Sequence, residues 1–161
     1  MSPKLQVLCF LIGGRSFAID IMGIREILRN QRLTPVPRTP VHVAGVLNLR
    51  GGLIPVVDVH QLLIGGPNPL PQQEMKLIVV YSRGRTAGLL VDQISDVVNV
   101  KPEGLSPVPG GYGLTGNEGP EPVVLATFRR GEERDSEVVV LVRLALLLDG
   151  TAQPVPEEAR T

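Results

Sequence analysis

The chain has 161 residues, 43% of them hydrophobic but only 3% aromatic, and sixteen basic side chains balance sixteen acidic ones. A nucleic-acid surface needs a basic excess, and a single-strand binder needs aromatic rings for bases to stack on, so both classes are disfavoured. The length suffices for one domain with a real core or two small lobes sharing one, while 18 Gly and 15 Pro impose many turns and favour short strands over long helices.

In chain order, residues 5–12 (LQVLCFLI) and 16–21 (SFAIDI) flank Gly13-Gly14-Arg15 and predict a hairpin. Phe17, Ile19 and Ile21 alternate with Ala18 and Asp20, as on a strand with one buried face. Ile24, Ile27 and Leu28 then fall at helical spacing and predict a short helical turn, limited by Gly23. Pro35, Pro37 and Pro40 impose an extended, irregular passage. A strand is expected over Val41 to Leu49, a bend at Arg50-Gly51-Gly52, and a second strand in LIPVVDV, where Pro55 argues for an edge or a bulge. HQLL closes the first half, and GGPNPLPQQ (65–73) reads as a loop or linker.

Beyond it, KLIVVYS and TAGLLVDQI predict strands around the turn at 83–85, and SDVVNV continues into a Pro/Gly-rich passage. PVVLATF and EVVVLVRL flank RRGEERDSE (129–137), a charge run that reads as a solvated hairpin tip. LALLL at 144–148 suggests a closing helical turn. Roughly ten short strands without long helices make an all-β architecture, and small barrels are the natural way to remove so many edges.

The only cysteine, Cys9, lies in an apolar run, which excludes an intramolecular disulfide and suits a reducing compartment. The early apolar run is short, carries Gln6 and lacks a small-residue cleavage site, and no segment approaches bilayer-spanning length. A soluble cytoplasmic protein is expected.

Chemistry is sparse. A phosphate-cradling loop leads from a strand into a helix. Gly51-Gly52 leads instead into LIPVVDV, which has a proline and no helical period. His42 and His60 lack nearby partners of metal-ligand type. Asp92 and Asp96 read as turn and strand-end carboxylates bonded to their own backbone rather than as an acid–base pair. Nothing assembles a nucleophile, a base and an oxyanion site, so a non-catalytic protein without cofactor or metal is expected.

Three stretches resemble the CheW family of chemotaxis coupling proteins: SFAIDIMGIREIL, then TPVPRTPVHVAGVLNLRGGLIPVVDV, then AGLLVDQISDVVNV. The similarity runs from about Val7 to Leu148. It implies two small five-stranded SH3-like β-barrels sharing a core, with minor helical turns, over residues 1–149, and a flexible tail at 150–161. It further implies a stand-alone, non-catalytic adaptor. Its partners would be the cytoplasmic tip of methyl-accepting chemoreceptors, bound in a groove between the lobes, and the CheW-like regulatory domain of a CheA-type histidine kinase. Nucleic acid and direct membrane insertion are not part of that expectation; recruitment to the inner face of the membrane would run through the receptors.

By the same resemblance Ile24, Ile27 and Gly45 match positions around the receptor groove, as do Gly88 and Ile94, and Arg50 is expected to pair with Glu26. The two glycines would let a receptor helix approach closely. Core packing is the competing role for Ile24 and Ile27. The chain departs from the family at Val142-Arg143, Ala145 and Leu146, which leaves Leu146 either buried or part of an altered partner surface. An adaptor of a pilus-motility, developmental or second-messenger pathway is an alternative within the fold, and a small ligand-binding barrel one outside it.

Overall fold

The computed structural model describes residues 5–29, 32–107, 123–131 and 134–148; the expected tail at 150–161 lies outside them. Three hairpins are closed by two-residue turns with positive φ at both central positions, Gly13-Gly14, Arg50-Gly51 and Arg83-Gly84. That geometry matches the right-handed twist of the flanking strands. They join β1 (Leu5–Ile12) to β2 (Arg15–Asp20), β4 (Val43–Leu49) to β5 (Gly52–Asp58), and β6 (Lys76–Ser82) to β7 (Arg85–Val91). The remaining elements are β3 (Ile24–Arg29), α1 (Val59–Leu63), β8 (Gln93–Val100), β9 (Val124–Arg130), β10 (Glu137–Val142) and α2 (Leu144–Leu147).

The strands form two five-stranded sheets, one ordered β8-β1-β2-β10-β9 and the other β3-β6-β7-β5-β4. The first sheet is drawn from both ends of the chain and the second from its middle. The lobes are therefore not the two halves of the sequence, and the loop at 65–73 connects α1 to β6 within the second sheet rather than linking lobes. Each sheet contains one parallel pair, β2 with β10 and β5 with β7.

Side chains of β1, β2, β6 and β7 are buried on both faces, which explains their near-continuous apolar runs. Phe10, Ile12, Phe17 and Ile19 of the first sheet meet Val57, Ile78, Val80, Leu89 and Val91 of the second in one central cluster. The alternate positions fill a smaller core in each lobe: Val7, Cys9, Ala18, Phe128 and Leu141 in one, Leu47, Ile54, Val56, Leu77 and Val79 in the other. Phe10 stacks on Phe17 at 6.1 Å between centroids, and β-branched and Leu side chains supply most of the rest. Cys9 is fully buried, and burial pushes its thiol pKa up.

Three local expectations need correction. Residues 24–29 form a strand, not a helical turn, preceded by a single 3-10 turn at Ile21–Gly23 that Asp20 caps by accepting from the Met22 amide. Ile24, Glu26 and Leu28 turn inward while Arg25, Ile27 and Arg29 turn out, a period of two that three apolar residues were too few to reveal. Pro55 lies in an interior strand, one residue short of the β5–β7 pairing and opposite Val46, beside a bulge in the partner strand β4. Its missing N–H is thus tolerated where the parallel ladder has not yet begun. Finally, β7 and β8 are separate strands on different sheets, broken at Asp92.

Candidate functional site

The edge strand β3 carries the most distinctive surface. Among the described residues it pairs only with β6, and the register slips between Ile24 and Glu26, so a bulge re-aims the side chains that follow. Glu26 is thereby brought to Arg50, whose Nη1 lies 2.8 Å from Glu26 Oε2. Arg50 is itself a turn residue with φ +51, and Gly51 beside it has φ +83. The Arg-Gly-Gly motif is therefore a tight turn at the end of β4 that aims one guanidinium across to the opposite edge of the sheet. The pair is unequal, with the arginine side chain 75% exposed and the glutamate 24%. Solvent screens it, and it contributes roughly 0–1 kcal/mol to stability.

Ile27, next in β3, is 47% exposed, whereas Ile24 is partly buried against the central cluster. Ile94, on β8 opposite Phe10, is likewise partly buried against that cluster. The two glycines lie inside the second lobe. A Cβ on Gly45 would sit 2.6 Å from the Thr34 carbonyl oxygen, because residues 32–34 cross over β4 and Thr34 pairs with Val46. A Cβ on Gly88 would meet Leu77 Cδ1 at 3.0 Å and Val56 Cγ2 at 3.2 Å. Their small size admits this chain's own backbone and side chains. Of the seven expected residues, Glu26 and Arg50 form an ion pair on one face of the edge strand, Ile27 is exposed on its other face, Ile24 and Ile94 belong to the walls of the central core, and Gly45 and Gly88 shape the lobe from within.

Neighbouring features were not read from the sequence. Arg25 lies over the ring of Tyr81, 4.6 Å from its centroid, and Tyr81 and Met22 are both exposed apolar groups near the start of β3. A cation over an aromatic face is worth about 0.5–1 kcal/mol at such a site. Reading 24–28 as helix hid the outward direction of Arg25; the scarcity of aromatics was the available signal. Gly23 also has a packing role, since a Cβ there would lie 2.3 Å from Leu144 Cδ2 of α2. Leu146 of α2 is partly buried against the central cluster, while Arg143 is exposed.

Most of the remaining buried polar groups have structural partners, His42 Nε2 being a buried atom among the described residues without one. Asp58 caps α1, accepting from the amides of His60 at 3.1 Å and Gln61 at 3.4 Å. Asp58 is thus the cap and His60 a residue of the helix. Burial raises the Asp58 pKa, and its bonds from the Gln61 and His60 amides and the nearby His60 ring oppose the rise. The ring of His60 is buried with Nδ1 3.0 Å from the Gly66 carbonyl. Asp92 accepts from the Gly13 amide at 2.9 Å and from Asn68 Nδ2 at 2.6 Å, tying the first hairpin to the loop before β6. Asp96 pairs with Arg130. Among the described residues, no three His, Cys, Asp or Glu side chains are grouped so as to hold a metal ion.

Residues 6–152 match the family model of the CheW-like domain. The chemotaxis protein CheW of Rhizobium meliloti is 36% identical over 104 residues, 65% of this chain and 66% of that protein. That of Helicobacter pylori is 32% identical over 137 residues, 85% of this chain and 78% of its own. The chain thus spans about two thirds of the first relative and more of the second. The crystal structure of a scaffolding protein, TtCheW from Thermoanaerobacter tengcongensis, superimposes with a TM-score of 0.76 over 91% of this chain and 94% of that one, at 22% identity. With a family match over nearly its whole length and the same two-sheet fold, the chain belongs to the CheW-like domain family.

Proposed function

We propose that this chain is a non-catalytic adaptor that couples transmembrane chemoreceptors to a CheA-type histidine kinase in chemotaxis. The observation that carries the reading is the Glu26–Arg50 pair at the edge of the second sheet, with Ile27 half exposed on the other face of the same strand. Edge strands with exposed apolar groups are recognition surfaces unless covered, and here an ion pair braces one. The receptor tip is a helical hairpin whose apolar ridge would lie in a shallow groove between the lobes. Ile24 and Ile94 support the groove from below, Ile27 contributes apolar contact, and Gly45 and Gly88 act by shaping the lobe behind it. The kinase would be engaged through its CheW-like regulatory domain at the barrel ends. In this reading the protein works in the cytoplasm, held at the inner face of the membrane by receptors; no helix among the described residues is long and apolar enough to cross a membrane.

Calorimetric titration with the isolated regulatory domain of the CheA-type kinase from the same genome tests the reading, with Arg50→Ala in parallel. Saturable binding supports it. If Arg50 shares in this contact, its loss weakens binding about tenfold, as for arginines central to interfaces. No heat of binding from folded protein, with any such domain, contradicts the coupling role and leaves only the fold in common.

A further inference from the structure

The two sheets correspond strand for strand in their order: β8 to β3, β1 to β6, β2 to β7, β10 to β5 and β9 to β4, with the parallel pair in the same place. The irregularities coincide as well. The outer strand of each sheet bulges directly after an isoleucine, Ile94 opposite Phe10 in β8 and Ile24 opposite Val80 in β3. Two residues beyond that isoleucine stands a carboxylate in both lobes, Asp96 and Glu26. The last residue of β9 is Arg130 and the first after β4 is Arg50, each followed by a glycine with positive φ, Gly131 and Gly51. Arg50 pairs with Glu26, and Arg130 pairs with Asp96.

In each lobe the carboxylate sits on one edge strand and the arginine on or just beyond the other. Among the described residues the hydrogen-bonded ladder runs from β8 to β9 through three strands and does not join those two directly. Arg130 spans the gap. It also pairs with Glu137, its cross-strand neighbour on β10, and the other Glu137 oxygen accepts from the buried Ser16 hydroxyl of β2 at 2.9 Å. Four of the five strands are thus tied through one guanidinium, which is only 24% exposed. A planar fork with several donors can bridge two carboxylates in this way, and a lysine holds such a bridge less well.

We infer that Arg130 is the positioning residue that holds the two edges of the first sheet together, the counterpart of Arg50 in the second. Edge strands left apart expose unpaired backbone groups; here a side-chain clasp substitutes for the missing rung. It also fixes the bulge at Ser95–Asp96, directly before Val97, which is exposed as Ile27 is in the other lobe. The consequence for partner binding rests on the adaptor reading. The clasp itself does not.

Amide exchange followed by NMR on the full chain, without any partner, tests the clasp separately from the adaptor role. Asp96 is 64% exposed, so Asp96→Ala is expected to leave the fold intact. It is expected to speed exchange of the β8 amides bonded to β1 by about three- to fivefold and to leave β6 and β7 within about twofold. Raising salt to about 0.5 M is expected to reproduce the effect in the unmodified chain, since exposed pairs are screened. Arg130→Gln, if it folds, is expected to exceed Asp96→Ala and to extend the loss to β9 and β10, while Arg130→Lys recovers part of the protection. Unchanged β8 exchange in Asp96→Ala, or an equal rise across both lobes, overturns the assignment.

Discussion

Arg50 separates binding from stability at the scale of one residue. Because its side chain is mostly exposed, Arg50→Ala is expected to lower unfolding stability by less than about 1 kcal/mol in urea titration. A larger loss would mean that the turn, not the ion pair, is the sensitive feature. The exchanged pair, Glu26→Arg with Arg50→Glu, is expected to restore partner binding lost in either single variant if the residues act through one another. Gly45 is the opposite case, with no charge and a large expected effect. Its φ is +156, and an added methyl would meet a backbone oxygen that cannot move alone. Gly45→Ala is expected to destabilise the protein by about 1–3 kcal/mol, measured as a shift of the urea midpoint at constant slope.

Asp58 supplies a pH test. Its folded pKa is raised, chiefly by burial, so the folded state holds the proton more tightly than the unfolded chain. Ionisation therefore opposes folding. The penalty is absent below the ordinary carboxylate value of 3.8 and complete above the raised folded value. Asn caps helices about as well as Asp. Asp58→Asn is thus expected to equal or exceed the parent in stability at pH 7, with any advantage vanishing as the pH falls towards 4. Thermal melts across that range decide it, and a variant less stable at pH 7 than at pH 4, relative to the parent, contradicts the assignment.

Among the elements, hairpins were the most legible in the sequence and the edge strand the least. Gly13-Gly14 and the turn at 83–85 announce themselves because positive φ demands glycine or tolerates few alternatives, and the strands they join are long apolar runs. At Arg83 the chain accepts φ +51 in a residue that disfavours it. Arg83→Asn is accordingly expected to stabilise the β6–β7 hairpin by about 0.5–1 kcal/mol, read from the urea midpoint. No gain would show that Arg83 makes a compensating contact. β3 was misread because Ile24, Ile27 and Leu28 fit a helical period over a window too short to exclude alternation, and because its bulge is invisible without its partner β6. Pro55 pointed correctly to a local irregularity, but the bulge is carried by β4, across the ladder. The acidic and basic partners of the candidate site were legible through family resemblance. Arg25 over Tyr81 was not, since it depends on which way an edge strand turns.

For the molecule as a whole, strand number and the all-β class followed from composition and turns, while the pairing did not. Residues near both termini share one sheet, and no local pattern encodes a parallel pairing of β2 with a strand more than a hundred residues away. The lobes nevertheless share the central cluster, so the two sheets are expected to unfold together. Phe17→Ala, which removes a fully buried ring from that cluster, is expected to cost about 3–5 kcal/mol and to lower exchange protection in both sheets. Loss confined to the first sheet would mean that the lobes are energetically separate. The shared core also suits an adaptor, because surfaces on two lobes keep a fixed relation only if the lobes do not swivel.

The most direct test of the coupling role is sedimentation of the CheA-type kinase with receptor-containing membranes, with and without this protein. The kinase is expected to pellet with the membranes only when the protein is added, and Arg50→Ala is expected to reduce the pelleted fraction while remaining folded. Kinase recovery in the pellet that is the same with and without the protein would contradict that role.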